Sequence, residues 1–336
     1  MVEARFWEPD EGGAVKCGLC RFRCRIMPGR RGICGVRENR EGVLHTLVYG
    51  RSVASNVDPI EKKPLYHLLP GSLSYSISTV GCNFRCLHCQ NYQISQWPHE
   101  HNTIPGDDLS PEEVVNRALA SGCRSIAYTY TEPTIFFEYA YDTAVLAHRA
   151  GLKNVFVTNG YTTPEALATI APYLDAANVD LKGFNDDVYR TLTGAHLEGV
   201  LETLRDYRNH RIWLEVTTLL IPGYNDDPGE LRSLAEFIRN ELGDEVPWHV
   251  SGYYPAYRLD APPTPVATLQ MAEKIGHEVG LQQVYLGNRP GSGGEVTLCP
   301  GCKASLVARD GFRVVQAQVS RGMCPECGER VPGVWE

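Results

Sequence analysis

The stretch Gly81-Cys82-Asn83-Phe84-Arg85-Cys86-Leu87-His88-Cys89 places three cysteines at the spacing C-x3-C-x2-C, directly after an alternating, strand-like run at 72–78. A loop with this spacing can bring three thiolates around one face of a small inorganic cluster. A tetrahedral zinc ion or an all-protein [4Fe–4S] cube needs a fourth ligand, and the neighbouring sequence offers none. An iron–sulfur cube held by three cysteines leaves one iron open for a substrate or a cofactor.

The alternative interpretation is a zinc knuckle that borrows a distant fourth ligand, or a set of unrelated buried thiols. A cysteine motif gains weight when its structural context fits, and here the cysteines follow a predicted strand as a loop. The sequence therefore favours an iron–sulfur cluster.

The composition indicates a globular protein in a reducing compartment. The 336 residues are 43% hydrophobic and 21% charged, and no apolar run is long enough to cross a membrane. The N-terminal residues lack the profile of a signal peptide, so we expect a cytoplasmic protein whose twelve cysteines ligate metals rather than form disulfides. A formal charge of −8 argues against nucleic-acid binding through a basic surface.

Strand-like and helix-like segments alternate after the central cysteines. The strands are predicted at 72–78, 125–130, 154–157, 177–181, 212–220, 248–253 and 283–288, and helices between them at 111–121, 136–151, from 164, 196–208, 228–242 and 266–279. Six or seven repeats of strand then helix predict an α/β fold, with a parallel sheet rolled into a full or partial (β/α) barrel. An open doubly wound sheet is the second choice, because no Gly-x-Gly-x-x-Gly follows any strand.

Polar residues recur where these predicted strands end, which is where barrel active sites are built. The residues in question are Glu132, Thr158, Asn159, Asp180, Lys182 and His249. A charged patch at Asp58, Glu61, Lys62 and Lys63 lies outside this pattern, and we expect it to be a solvated surface.

Two further cysteine groups flank the predicted barrel. Near the N-terminus stand Cys17, Cys20, Cys24 and Cys34, which suffice for a closed four-thiolate site. Zinc and a second [4Fe–4S] cluster both fit this spacing, and we favour zinc because a closed site needs no further chemistry. Beyond a glycine-rich break at 290–294, a zinc ribbon is predicted from two C-P-x-C motifs, which contain Cys299, Cys302, Cys324 and Cys327. The lone Cys123 is interpreted as a small buried hydrophobe.

With these residues in view, the chain resembles radical S-adenosylmethionine (SAM) enzymes related to the pyruvate formate-lyase activating enzymes, and more closely those of the AmmeMemoRadiSam system. The closer resemblance rests on Glu61-Lys62-Lys63-Pro64-Leu65-Tyr66-His67, 81–91, Tyr130-Thr131-Glu132-Pro133, Asp180-Leu181-Lys182-Gly183, Ile221-Pro222-Gly223-Tyr224-Asn225-Asp226 and Tyr285-Leu286-Gly287-Asn288. It implies a radical SAM barrel at 71–290, an N-terminal four-cysteine module with a lead-in segment at 1–70, and a zinc ribbon at 295–336.

The resemblance also implies roles for individual residues. Cys82, Cys86 and Cys89 would hold a [4Fe–4S] cluster whose open iron binds SAM. Thr131 and Glu132 stand where the family has Gly-Gly-Glu-Pro, although both glycines are absent here, and Glu132 would accept from the SAM ammonium group. The remaining predicted SAM contacts are Thr158, Asn159, Asp180, Lys182 and His249. The alternative for His249 is a packed core histidine.

The function implied is reductive cleavage of SAM to a 5′-deoxyadenosyl radical that abstracts hydrogen from a substrate. The expected partners are flavodoxin or ferredoxin as electron donor and Memo-like and AMMECR-like proteins. One alternative is an activase that installs a glycyl radical on a partner enzyme. Another, from a different class, is a non-enzymatic iron–sulfur or zinc protein that acts as an electron carrier or scaffold.

Overall fold

A computed structural model describes residues 2–289 and 294–336 of the chain. In chain order its strands are β1 Val2–Glu3, β2 Trp7–Pro9, β3 Val15–Cys17, β4 Arg25–Ile26, β5 Arg37–Arg40, β6 Val43–Thr46, β7 Arg51–Ser52, β8 Ala54–Pro59, β9 Leu73–Ser78, β10 Asp107–Asp108, β11 Ser125–Tyr128, β12 Lys153–Thr158, β13 Ala176–Asp180, β14 Trp213–Leu220, β15 Trp248–Gly252, β16 Val284–Gly287, β17 Thr297–Leu298, β18 Ser305–Asp310 and β19 Arg313–Ala317.

The α-helices alternate with the strands of the central region. They are α1 Tyr92–Ser95, α2 Trp97–His101, α3 Pro111–Ala120, α4 Phe137–Arg149, α5 Pro164–Ile170, α6 Asp186–Thr193, α7 Leu197–Asn209, α8 Pro228–Phe237 and α9 Val266–Val279. Two of the predicted helices begin with a side-chain cap, because Ser110 accepts from the backbone N–H of Glu113 and Thr163 accepts from that of Ala166. Within the residues described, no helix is both long and apolar enough to cross a membrane.

One eight-stranded sheet organises the molecule, in the order β16-β15-β14-β13-β12-β11-β9-β8. Seven of these strands are parallel, and β8 pairs antiparallel with β9 at one edge. Every residue of β11 is buried, as expected for a parallel strand covered on both faces. The α/β fold predicted from the repeated strand-then-helix pattern is confirmed.

The sheet is an incomplete barrel. Among the described residues no ladder joins β8 to β16, yet a single cavity touches residues in or just after every strand from β11 to β16. The gap between the two edges is bridged by residues 60–71 and the C-terminal module. Val334 forms a β-bridge with Leu68, and Tyr66 packs against Tyr285 of β16 with ring centroids 4.7 Å apart.

The two ends of the chain form small sheets against this barrel. The N-terminal region has sheets β2-β3-β4 and β1-β6-β5, and the C-terminal module has β17-β18-β19. The buried guanidinium of Arg37 in β5 pairs with Glu138 of α4, which fastens the N-terminal module to the barrel. Of the glycine-rich break predicted at 290–294, residues 290–293 lie outside those described.

Candidate functional site

The loop after β9 brings three thiols to one cavity. Cys86 is buried, Cys82 and Cys89 are half-buried, and all three line a cavity of about 600 Å³ at the carboxyl end of the parallel strands. The backbone N–H groups of Arg85 and Leu87 donate to carbonyls at the end of α6, at 2.9 Å each, so the loop is anchored on the barrel.

The chemistry of these thiols fits a metal cluster. Burial raises the pKa of Cys86 to about 12 and that of Cys82 well above its usual value, so neither thiolate is stable without a cation. The backbone N–H of Phe84 already points at Cys82 Sγ, 3.4 Å away. The three cysteines are the residues that would hold a [4Fe–4S] cluster here.

A buried carboxylate lies beside the thiols. Glu132, directly after β11, is only 1% exposed and accepts three hydrogen bonds: from Thr134 N at 3.0 Å, Thr158 Oγ1 at 2.7 Å and Asn159 N at 2.8 Å. Burial raises the pKa of Glu132, and the three donors oppose this rise. A carboxylate fixed in this way can accept from a ligand's ammonium group.

Tyr130 stands where the Gly-Gly-Glu-Pro motif has a glycine, and it takes a backbone conformation that glycine adopts readily. Its φ is 64°, in the left-handed region that non-glycine residues rarely adopt. Asn91 Nδ2 donates to the Tyr130 carbonyl at 2.8 Å, and the Tyr130 hydroxyl donates to Asp58. These bonds hold a strained backbone next to Glu132, as is common at functional sites.

The charged patch at 58–63 is not the solvated surface expected from the sequence. Asp58, Glu61 and Lys63 are 5%, 1% and 2% exposed, and only Lys62 faces solvent. Both lysines bond Asp58, at 2.8 Å for Lys62 and 2.7 Å for Lys63. The prediction was wrong because Asp58 pairs with both lysines and Glu61 pairs with the distant Arg309, contacts that a local sequence pattern does not reveal.

Asn159 and the Asp180–Lys182 pair complete the wall nearest the cysteines. Asn159 Nδ2 donates to Asn83 Oδ1 at 2.8 Å, which ties β12 to the cysteine loop. Lys182 Nζ donates to Asp180 Oδ2 at 2.8 Å. Burial alone would lower the pKa of Lys182, but Asp180 and the nearby Cys86 raise it above its usual value, so the lysine stays cationic beside the thiols.

His249 is oriented by a buried carboxylate. Its Nε2 lies 2.6 Å from Glu215 Oε2, and Glu215 also accepts from the backbone N–H groups of Tyr66 and His67 and from Trp213 Nε1. Burial would raise the pKa of Glu215, but these donors, His249 foremost, bring it to about 2. His249 therefore both packs in the core and lines the cavity.

All of the residues predicted to bind SAM lie around this one cavity, together with the three cysteines. They are Thr131, Glu132, Thr158, Asn159, Asp180, Lys182 and His249. Their individual roles stay predictions. Thr131 turns its hydroxyl to the Thr79 carbonyl, 2.9 Å away.

Sequence reasoning assigned no role to several residues in or behind the same wall. Lys63, Tyr66, Asn91 and Phe312 line the cavity, and Asp58, Asn83 and Glu215 lie behind it, each bonded to a lining residue. A signal existed for four of them, because Lys63 and Tyr66 lie in the 61–67 motif, and Asn83 and Asn91 lie in 81–91. For Glu215 the only signal is a carboxylate in the middle of an apolar strand.

The C-terminal cysteines form a compact site of their own. The sulfurs of Cys299, Cys302, Cys324 and Cys327 all lie within 4.8 Å of one another. Cys299 and Cys327 are 3.6 Å apart, and Cys302 and Cys324 are 3.8 Å apart. The group can hold one tetrahedral metal ion.

Residues 76–237 match the Radical SAM superfamily. The chain is 45% identical over 334 residues to Uncharacterized protein MJ0808 of Methanocaldococcus jannaschii, an alignment that covers 98% of this chain and 99% of that protein. It is 26% identical over 219 residues to the pyruvate formate-lyase 1-activating enzyme of Escherichia coli K12, covering 59% of this chain and 88% of the enzyme.

Solved structures share the fold. A radical SAM methyltransferase from Sphaerobacter thermophilus superposes with a TM-score of 0.52 and 17% identity, covering 66% of this chain and 68% of the other. SuiB from Streptococcus suis, bound to S-adenosylmethionine, gives a TM-score of 0.52 at 12% identity, covering 69% and 53%. The cavity with its three cysteines and the matches to sequence and fold agree: residues 76–237 form a radical SAM domain, and this part of the chain is homologous to the pyruvate formate-lyase activating enzymes.

Proposed function

We propose that this enzyme cleaves SAM reductively and uses the resulting radical to abstract hydrogen from a substrate. The observation that carries the proposal is that three cysteine thiols and the buried Glu132 carboxylate line one cavity. When bound, the [4Fe–4S] cluster supplies one electron to the sulfonium of SAM, whose carbon–sulfur bond cleaves to methionine and a 5′-deoxyadenosyl radical.

The chain's own residues bind and orient the cofactor. Glu132 would accept from the SAM ammonium group, since its carboxylate is already fixed by three donors. Lys182, held by Asp180, supplies a cation beside the thiols. Because these groups are placed before the ligand arrives, little reorganisation accompanies binding.

Exclusion of water is the second task of the protein. The open side of the barrel is covered by residues 60–71 and by the C-terminal module, whose Phe312 reaches the cavity wall. A radical that abstracts hydrogen must be shielded from other quenching groups. We infer that the C-terminal module serves this shielding, and that its four cysteines bind zinc.

The partners follow from the resemblance and from the chemistry. The substrate would be handled together with Memo-like and AMMECR-like proteins, and the electron would come from a flavodoxin or ferredoxin. The grouping of eleven of the twelve cysteines into sets typical of metal ligands supports a reducing, cytoplasmic setting. Membership of an enzyme superfamily argues against a carrier or scaffold without activity.

A second candidate function, activation of a glycyl-radical enzyme, is favoured by the homology to the Escherichia coli activating enzyme. In that case the hydrogen donor would be a backbone glycine of a partner. The two candidates share every residue of the site and differ only in what enters the cavity.

The test uses the full chain, reconstituted anaerobically with iron and sulfide and incubated with SAM and reduced flavodoxin. Under the first proposal, 5′-deoxyadenosine formation rises when Memo-like and AMMECR-like proteins from the same genome are added. Under the second, it rises with a glycyl-radical enzyme, and electron paramagnetic resonance detects a glycyl radical there. If SAM is not cleaved under any of these conditions, the proposed function is contradicted.

A further inference from the structure

The four N-terminal cysteines converge in the folded chain. Cys17 ends β3, Cys20 and Cys24 lie on the loop to β4, and Cys34 follows in the next loop. Cys17, Cys20 and Cys34 are buried and Cys24 is half-buried. The backbone N–H of Cys17 donates to the Cys24 carbonyl at 2.9 Å, and the four thiols are near enough to influence one another's charge. The structure therefore gathers them into one site.

The spacing of these sulfurs differs from that of the C-terminal set. A zinc ion about 2.3 Å from each of four tetrahedral thiolates holds the sulfurs roughly 3.8 Å apart. The C-terminal sulfurs match this value, at 3.6 and 3.8 Å. Within residues 2–289 and 294–336, that set is the only group of three or more Cys, His, Asp or Glu ligand atoms drawn within 4.8 Å of one another.

Neither the N-terminal nor the central cysteines bring three sulfurs within 4.8 Å of one another. The thiols of each set nonetheless influence one another's charge, so each set is a loose group rather than a collection of separate thiols. A [4Fe–4S] cube binds each cysteine at a different iron, so its ligand sulfurs stand further apart than those around a single ion. The wider arrangement fits a cube at the N-terminal site as it does at the central one.

The two wide sites are in direct contact through the backbone. Gly81, immediately before Cys82, has a φ of +96° and packs on Cys34. A Cβ at position 81 would lie 2.9 Å from the Cys34 carbonyl oxygen and 2.6 Å from Val36 Cγ1. Only glycine permits this approach, which brings the two cysteine loops together.

A chain of aromatic rings connects the same loops. Phe22 lies between Cys20 and Cys24, and Phe84 lies between Cys82 and Cys86. Tyr161 packs against both, with ring centroids 4.9 Å from Phe22 and 5.3 Å from Phe84. The path between the two sites is thus filled by contiguous packed side chains.

A buried cation supports negative charge at the N-terminal site. Arg37 Nη1 lies 3.3 Å from Cys17 Sγ, and the side chain is 2% exposed. Hydrogen bonds to cluster sulfurs and nearby charge are among the factors that set the reduction potential of an iron–sulfur cluster. A purely structural zinc ion would make no use of this tuning.

We propose that Cys17, Cys20, Cys24 and Cys34 hold a second [4Fe–4S] cluster, in electronic contact with the central site through the Gly81–Cys34 contact and the three rings. This cluster takes the place of the zinc favoured from the sequence. An external iron–sulfur or flavin protein is oxidised by one electron as the second cluster is reduced from the 2+ to the 1+ state. Passing that electron to the central site returns the second cluster to 2+. The relay rests on the proposed function; the identity of the metal does not.

Metal analysis of the anaerobically reconstituted full chain tests the proposal. We expect about eight irons, four for each cluster, and about one zinc per chain. The double variant Cys20→Ala/Cys24→Ala should lose about four irons and keep its zinc, and so should the matched variant Cys86→Ala/Cys89→Ala. Two zincs with four irons in the wild type would overturn the proposal, as would an N-terminal variant that loses zinc instead of iron.

Spectroscopy keeps the proposal testable should the N-terminal variant fail to fold. The Mössbauer spectrum of Cys86→Ala/Cys89→Ala should still show a [4Fe–4S]²⁺ cluster, whatever becomes of SAM cleavage. In the dithionite-reduced wild type, the electron paramagnetic resonance signal should be broadened by spin–spin interaction that this variant lacks. An unbroadened wild-type signal with both clusters reduced would overturn the electronic contact, and a variant devoid of iron would overturn the second cluster.

Discussion

The backbone N–H of Asn159 donates to Glu132 Oε2 across 2.8 Å and joins the ends of the neighbouring parallel strands β12 and β11. The same asparagine reaches Asn83 on the cysteine loop with its side chain. One residue therefore positions both the carboxylate and the loop that carries the thiols. The spacing between this carboxylate and the thiols is set by the sheet itself.

Replacing Glu132 by glutamine should weaken SAM binding without removing the cluster. The amide keeps the shape of the side chain but loses the charge, and a hydrogen bond to a charged group contributes about 1.5–3 kcal/mol. We expect the Kd for SAM to rise about 10- to 150-fold, measured by anaerobic equilibrium dialysis, with iron content unchanged. The exposed Glu112→Gln on α3 serves as the control. Unaltered SAM affinity in Glu132→Gln would contradict the assigned role.

Arg309→Ala should release the C-terminal module from the barrel. Arg309 in β18 is fully buried, donates to the Tyr66 carbonyl at 2.7 Å and lies 3.7 Å from Glu61. Removing one partner of a buried ion pair destabilises by about 3–5 kcal/mol. Because the Val334 amide donates to the His67 carbonyl at 2.7 Å, its hydrogen exchange should accelerate in the variant.

The comparison for this prediction is Arg313→Ala, which removes an exposed arginine from the next strand. That variant should exchange like the wild type, and both should keep the C-terminal metal. If the Val334 amide exchanges its hydrogen equally slowly in Arg309→Ala and Arg313→Ala, the buried arginine does not hold the C-terminal module in place.

His67 should make stability decline with acidity. Burial lowers its pKa to about 4, against the opposing effect of Glu215, and its ring nitrogens contact Pro332 O and Tyr285 Oη at 2.7 Å each. Because the folded-state pKa lies below the unfolded value near 6.5, this stabilisation is complete above pH 6.5. It is lost as the pH falls towards 4.

The free energy of unfolding then falls by up to about 1.4 kcal/mol per pH unit, because the unfolded state binds one more proton than the folded state. The apparent thermal midpoint, measured at a fixed heating rate from pH 7 to 5, should fall more steeply in the wild type than in His67→Gln. Parallel curves for the two proteins would show that His67 does not remain neutral in the fold.

The convergence of polar residues at the strand ends could be predicted from the sequence alone. Thr158, Asn159, Asp180 and His249 were predicted to converge because parallel strands of one sheet deliver their carboxyl ends to the same edge. The alternation of strand and helix could be recognised because the strands are short and almost continuously apolar and the helices are well capped. The central cysteines followed from spacing and from the strand before them.

The remaining features depend on contacts between distant segments. Asp58 and Lys63 pair with each other and both contact Tyr130 after β11, whereas the sequence of each alone is typical of a surface residue. The place of the antiparallel strand β8 at the edge of the sheet was not predicted, since nothing local indicates which edge it joins. Tyr130 compensates for the absent glycines through Asn91, 39 positions away. Such compensation is visible only once the chain is folded.

The most direct measurement is 5′-deoxyadenosine formation by the reconstituted chain, with SAM and dithionite under anaerobic conditions, in the wild type, Cys86→Ala and Cys302→Ala. The buried Cys86 would bind the central cluster, while the exposed Cys302 belongs to the separate C-terminal site. We predict that the wild type and Cys302→Ala form deoxyadenosine, and that Cys86→Ala forms none while keeping its C-terminal metal. Full deoxyadenosine formation by Cys86→Ala would contradict the assignment of the central cysteines as the site of SAM cleavage.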